Sequence, residues 1–176
     1  MKFSFFEALS KEEAQEYLDE FLLFGGNRGM EIINQIIPFA VDIDFSLDSL
    51  KPILKTLLAS VKTIPRAPDE TLPEFIRNTE EYKKNLFEFN ETSKSVVLAA
   101  AYYLGETFAK RYDYLSWAIG NTEFAQGNMP VVTGFRYKVE MAPILIIENL
   151  FGRVISEMSD ESTIDVAIES WISKFV

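Results

Sequence analysis

Glu106 is the side chain best placed in this sequence to do chemistry. It follows Tyr102 and Tyr103 at helical spacing, precedes Lys110 by one turn, and has Trp117 a short way beyond it. Such a set could place a carboxylate in an aromatic-lined cleft, as a general acid or base in hydrolysis or as the anchor of a small ligand. The simpler reading is an i,i+4 Glu–Lys pair on a helix surface, worth roughly 0.2–0.5 kcal/mol. A glycosidase-type mechanism needs a second carboxylate beside the first, and sequence spacing supplies none.

Asp42, Asp44 and Asp48 are the next candidates, since carboxylate oxygens suit calcium or magnesium. They lack the Asp-x-Asp-x-Asp-Gly loop with a trailing Glu, so a solvated strand edge is the favoured reading and no metal site is assigned. The chain has no His and no Cys. Ser-His-Asp and Cys-His catalysis, thiolate sites and the usual zinc sites therefore cannot be built. No cofactor is expected.

Arg136 and Lys138 stand out as a basic pair in an acidic chain. Alternation in Phe135–Met141 would place them on the open face of a strand, where they could meet an acidic group. Tyr102, Tyr103, Tyr112, Tyr114 and Trp117 cluster near a helix-to-strand junction, types common both at interfaces and at the edges of cores.

Net charge is −10 and the pI is near 4.6. Such a surface repels nucleic acid and anionic membranes, and would steer a basic protein partner toward it. Residues Met1–Glu7 carry no leader-like apolar run, and the longest apolar stretch, Val96–Leu104, is too short to span a bilayer. A cytoplasmic location is the expectation. At 176 residues with 48% hydrophobic content, one globular domain over 1–176 is expected.

These residues need elements to position them. Ser10 and Glu13 form a capping box, and Ala14, Tyr17, Leu18, Phe21 and Leu22 follow on one helical face up to Gly25-Gly26. A second short helix, capped by Asn27, is predicted up to Pro38. Phe39, Val41, Ile43 and Phe45 alternate, predicting an extended segment. Leu50, Ile53, Leu54, Leu57, Leu58 and Val61 give the clearest amphipathic stripe, with Ser46 or Ser49 as cap and Pro52 favouring Ser49.

Ile64–Asp69 is read as a linker within the domain, followed by a charged helix through Phe75, Tyr82, Leu86 and Phe89 with Thr71 and Glu74 as its capping box. Ser95–Tyr112 is the predicted central helix. Its Ala101, Gly105 and Ala109 ridge calls for close approach of another element. Strands are predicted at Leu115–Ile119 and Phe135–Met141, with a loop at Gly127–Pro130. Two more helices follow, one from Pro143 to a glycine C-cap at Gly152, the other carrying Ile164, Ile168, Trp171 and Phe175.

Three stretches together carry a family resemblance: Asp44-Phe45-Ser46-Leu47-Asp48-Ser49-Leu50, Ala101-Tyr102-Tyr103-Leu104-Gly105-Glu106, and the strand with Trp117. A proline-started helix with Asn149 and Gly152 follows in order. Over residues 40–155 the chain resembles small bacterial α+β proteins of immunity or accessory type that form a domain of unknown function. The resemblance would mark Gly105, Glu106 and Trp117.

The expectation is therefore an α+β protein, mostly helical, with helices packed on a small antiparallel sheet. Its expected role is a non-enzymatic protein-binding module of immunity or accessory type, with Glu106, Tyr102, Tyr103, Trp117, Arg136 and Lys138 as binding candidates. The rival is a carboxylate-based hydrolase or small-ligand binder using Glu106. Oligomeric state is open.

Overall fold

The capping box at Ser10 forms as its sequence predicts. The Ser10 hydroxyl accepts from the Glu13 N–H, and the Glu13 carboxylate accepts from the Ser10 N–H. The computed structural model describes residues 4–176; Met1–Phe3, part of the stretch read for a leader, lie outside the described residues. A first turn α1 (Ser4–Glu7) precedes α2 (Lys11–Phe24).

Gly25-Gly26 does not stop this helix. A π-helical segment, Gly25–Gly29, carries it on into α3 (Met30–Ile36), and Asn27 caps nothing, its amide instead donating to the Leu23 carbonyl at 3.0 Å. The reason is tertiary. A Cβ on Gly25 would lie 2.1 Å from Tyr102, so the missing side chain is the space that Tyr102 fills. Burial there outweighs the roughly 1 kcal/mol that each helical glycine costs.

Residues 39–45 form no strand. Phe39 is fully exposed, at 108%, so it joins no buried face. The alternation survives without a ladder: Val41, Ile43 and Phe45 are half-buried while Asp42 and Asp44 face water. Next comes α4 (Leu47–Ser60), capped by Ser46 and not by Ser49. Ser49 is buried instead, and Pro52 sits inside the helix. An interior proline costs about 3 kcal/mol. The burial of Leu50, Ile53, Leu54, Leu57 and Leu58, at roughly 1.5–3 kcal/mol each, outweighs it.

The predicted linker contains a strand, β1 (Thr63–Pro65), paired antiparallel with β2 (Phe87–Phe89) in the register Ile64 opposite Glu88. The single charged helix predicted between them is two short ones, α5 (Glu74–Arg77) and α6 (Glu80–Lys84). No capping box forms at Thr71. Its hydroxyl bonds the Asp69 carboxylate, and Pro73 takes the cap position.

α7 (Glu91–Arg111) is the central helix, capped by Asn90 and packed on α3, α4 and α8. It is buried on nearly every side through its middle, from Ala99 to Gly105. β3 (Ser116–Ile119) follows as predicted, but its partner is β4 (Pro130–Thr133), with Trp117 opposite Val132. Phe135–Met141 is no strand. Arg136–Lys138 makes a 3-10 turn, and Met141 alone returns to bridge Val132. The true strand hid because Val131 and Val132 are both fully buried, which erases alternation.

α8 (Pro143–Ile155) starts at its proline but runs through Gly152, and Glu157, not a glycine, takes the left-handed position after it, with φ 56°. α9 (Ser162–Phe175) buries Ile164 and Ile168, and two ion pairs of 2.7 Å, Lys51–Glu169 and Lys55–Asp165, tie it to α4. The fold is α+β and mostly helical, with 60% helix and, among the described residues, two separate two-stranded antiparallel sheets. No helix among the described residues is long and apolar enough to cross a membrane.

Candidate functional site

α7 turns Glu106 toward β3, where Trp117 waits. The Trp117 Nε1–H donates to the Glu106 carboxylate at 3.0 Å, and the other carboxylate oxygen lies 3.5 Å from the Lys110 ammonium. The Glu106 side chain is only 18% exposed. The i,i+4 pair with Lys110 is present, its Glu106 end sheltered, and the Trp117 indole is a second partner of the carboxylate. It is a clamp that joins the central helix to the β3–β4 hairpin.

Gly105 makes the clamp possible. A Cβ there would meet the Trp117 ring at 2.2 Å and Pro143 at 3.0 Å. The small-residue ridge therefore has the close approach its sequence demands. Tyr102 lies parallel to Trp117 at 6.4 Å, and the Phe21 ring meets Trp117 edge-on at 5.6 Å. Burial, with Glu106 nearby, raises the pKa of the Tyr102 hydroxyl. Glu106, Tyr102 and Trp117 are brought together as the sequence suggested, as packing.

Tyr103 is not part of that group. Consecutive helical residues point about 100° apart, and Tyr103 faces α4 instead. Its hydroxyl is 2.8 Å from Ser49 Oγ and accepts from the Phe45 N–H at 3.0 Å. Ser49 has one proton and donates it to the Ser46 carbonyl at 3.0 Å, so Tyr103 donates to Ser49. This chain holds Phe45 at a left-handed φ of 58°, its ring stacked on Tyr103 at 4.8 Å and under the Lys110 ammonium at 3.8 Å. Asp44 serves the same turn. Its carboxylate accepts from the Ser46 N–H at 2.9 Å, and hydrogen bonds from Ser46 hold its pKa below the usual carboxylate range. Among the described residues, no group of three or more acids is arranged to hold a metal ion.

Arg136 and Lys138 are not on a strand face. They flank Tyr137 on an exposed turn in which Tyr137 and Lys138 both have left-handed φ, 60° and 55°. Phe135 anchors this turn against Trp171 and Phe108, while Tyr137 is 83% exposed.

A cleft lies elsewhere on the molecule. About 720 Å³ in volume, it separates the β1–β2 hairpin and α6 from α8. Phe87, Glu88 and Phe89 of β2 line one side, and Glu148, Asn149, Gly152 and Arg153 of α8 line the other. Its volume falls within the range of ligand sites, and it mixes apolar rings with both signs of charge. Charge is arranged along its length. Arg66 pairs with the Leu86 backbone, and Arg153 bonds Met158, whose sulfur accepts from Asn85. Arg66 therefore stands at the Asn85–Leu86 end of β2, its guanidinium 3.5 Å from the Asn85 carbonyl, while Arg153 and Glu148 line the α8 side and Lys94 lies within electrostatic reach of Glu88. The alternating Phe87-Glu88-Phe89 between two asparagines is the signal that could have found this strand.

Comparisons with known proteins add no relative: no family model, no curated protein and no solved structure matches the chain.

Proposed function

We propose that this chain is a protein-binding module without catalytic chemistry of its own, and that it takes a segment of its partner into the cleft between β2 and α8. The observation that carries the reading is that cleft: about 720 Å³, bounded by a strand and a helix, with two phenylalanines among charged side chains. Apolar rings inside a polar rim are the composition of an interface, in which rings bury area and charges set orientation. The net charge of −10 favours a partner that is basic overall, because such a field raises the encounter rate. An immunity or accessory role in the cytoplasm, where one partner is held stoichiometrically, is the setting that the family resemblance suggests.

The hydrolase reading has less support, because Glu106 is engaged by Trp117 and Lys110.

Gly152 provides the test. A Cβ added there meets nothing within 4 Å, so Gly152→Trp has an unobstructed start from the backbone at the cleft wall. Fluorescein-labelled unstructured peptides, basic and acidic, are titrated against the wild-type chain and this variant. The expected result is binding to the wild-type chain that Gly152→Trp abolishes and Tyr137→Ser leaves intact. A panel in which no peptide binds, or in which Gly152→Trp binds as well as wild type, would overturn the reading.

A further inference from the structure

Hydrogen-bond parity in the first hairpin shows which backbone groups are left for another chain. The Arg66 N–H bonds the Leu86 carbonyl at 3.0 Å, and the Asn90 N–H bonds the Lys62 carbonyl at 3.2 Å. Bonded pairs alternate along an antiparallel ladder, so Ile64 and Glu88 form the bonded pair between them. The N–H and C=O groups of Phe87 and Phe89 therefore turn away from β1, along the free edge of β2. The same residues line the cleft. β1 ends in Pro65, which has no N–H to offer, so β2 is the edge better equipped to pair.

We infer that the cleft binds its partner by strand addition: an extended segment pairs antiparallel with β2, bonding the outward groups of Phe87 and Phe89. This rests on the cleft reading above and names what enters the cleft. A two-stranded sheet is marginal alone, and a third strand completes it.

Charge selects the segment. Glu88 is exposed between Phe87 and Phe89, whose rings meet edge-on at 6.2 Å. Cross-strand neighbours favour opposite charge and matched apolar surface, so the complement of Phe-Glu-Phe is apolar–basic–apolar. An antiparallel segment runs toward the Leu86 end, where the Arg66 guanidinium lies 3.5 Å from the Asn85 carbonyl. Its next residue is therefore acidic. The partner class is an extended basic–apolar segment closing on a carboxylate.

The probe is the peptide acetyl-Thr-Val-Lys-Val-Glu-amide, with acetyl-Thr-Val-Glu-Val-Lys-amide as its charge-swapped control, titrated by calorimetry against the full chain. The first binds, and the control binds at least about tenfold more weakly, since like charges would face each other at Glu88 and again at the Leu86 end. Phe87→Pro removes one outward N–H while sparing the bonds to β1, and it weakens the probe about three- to tenfold relative to Phe87→Val, which keeps that N–H. Glu88→Lys reverses the preference between the two peptides. Should Phe87→Pro fail to fold, hydrogen exchange on the wild-type chain decides, with the Phe87 and Phe89 amides gaining protection on probe binding.

A probe that binds, is blocked by Gly152→Trp, and neither protects those amides nor responds to Phe87→Pro would overturn strand addition while leaving the cleft reading in place. Failure of the probe to bind would overturn this inference. Failure of the whole peptide panel would overturn the cleft reading as well.

Discussion

α7 and the stretch 61–90 that precedes it are adjacent in sequence, yet they are held in place by different means. In α7 the fit is one of volume: Gly105 receives Trp117, and Tyr102 fills the gap left by Gly25. Close packing of that kind leaves no slack, so small changes in size are felt. None of residues 61–90 is buried. That stretch is held by ladder bonds, by the Tyr82 hydroxyl accepting from the Asp69 N–H, and by short capped turns. Elements that bury little sit at the low end of local stability, and binding surfaces are commonly drawn from there. The cleft follows this division, with α8 from the packed side and β2 from the open side.

The sharpest way to break the contrast is to overfill α7. Gly105→Val should lower stability by about 3 kcal/mol, read from urea unfolding, because a ring and a proline already occupy the space. A loss below about 1 kcal/mol would mean that the helix–hairpin contact yields as easily as a loop.

Alkaline pH offers a second test on the packed side. Burial, reinforced by the charges of Glu148 and Glu20, pushes the pKa of Tyr17 up to about 12. The folded state therefore prefers the neutral phenol. The associated stability is complete below the ordinary tyrosine pKa near 10 and is lost as pH rises from about 10 through 12, amounting to about 2 kcal/mol. Tyr17→Phe should flatten that slope, as measured by unfolding at successive pH values. An unchanged slope would assign it to other groups.

Tyr103→Phe should cost about 1–2 kcal/mol. It keeps the ring but deprives the part-buried Phe45 N–H of its acceptor and the buried Ser49 oxygen of its donor, while Ser49 still donates to the Ser46 carbonyl. Proton exchange at the Phe45 amide should quicken in the same variant.

The smallest effect belongs to the open stretch. Phe75 is 75% exposed, and Phe75→Ser should change stability by no more than about 0.5 kcal/mol. A loss beyond about 1 kcal/mol would show that 61–90 carries packing of its own, and the division between the two regions would fail.

Much of the scaffold was legible because it depends on local chemistry. Ser10 and Glu13 sit three apart and cap each other wherever a helix begins. The stripe from Leu50 to Leu58 is buried as its spacing requires, and Trp117 is the close neighbour that Gly105 implied. The candidate site was less legible. Glu106, Tyr102 and Trp117 do meet, yet spacing could not tell a clamp from a cleft, since exposure depends on what packs over the helix. Tyr103 looked like the twin of Tyr102 and faces the other way. Arg136 and Lys138 looked like strand residues because alternation is a pattern of burial, which a turn anchored by Phe135 can imitate.

What the sequence determined alone was the chemistry it lacks, the sign of its charge, and the helices whose caps and stripes are encoded within a few residues of one another. What only the tertiary structure decided was whether glycines stop a helix or admit a ring, which apolar run becomes a strand, and where a strand edge stays open. Each of those outcomes depends on a partner far away in the chain: Tyr102 for Gly25, Ser116–Ile119 for Pro130–Thr133, and α8 for the edge of β2. Local propensities of about 1 kcal/mol per residue are smaller than the burial such partners bring.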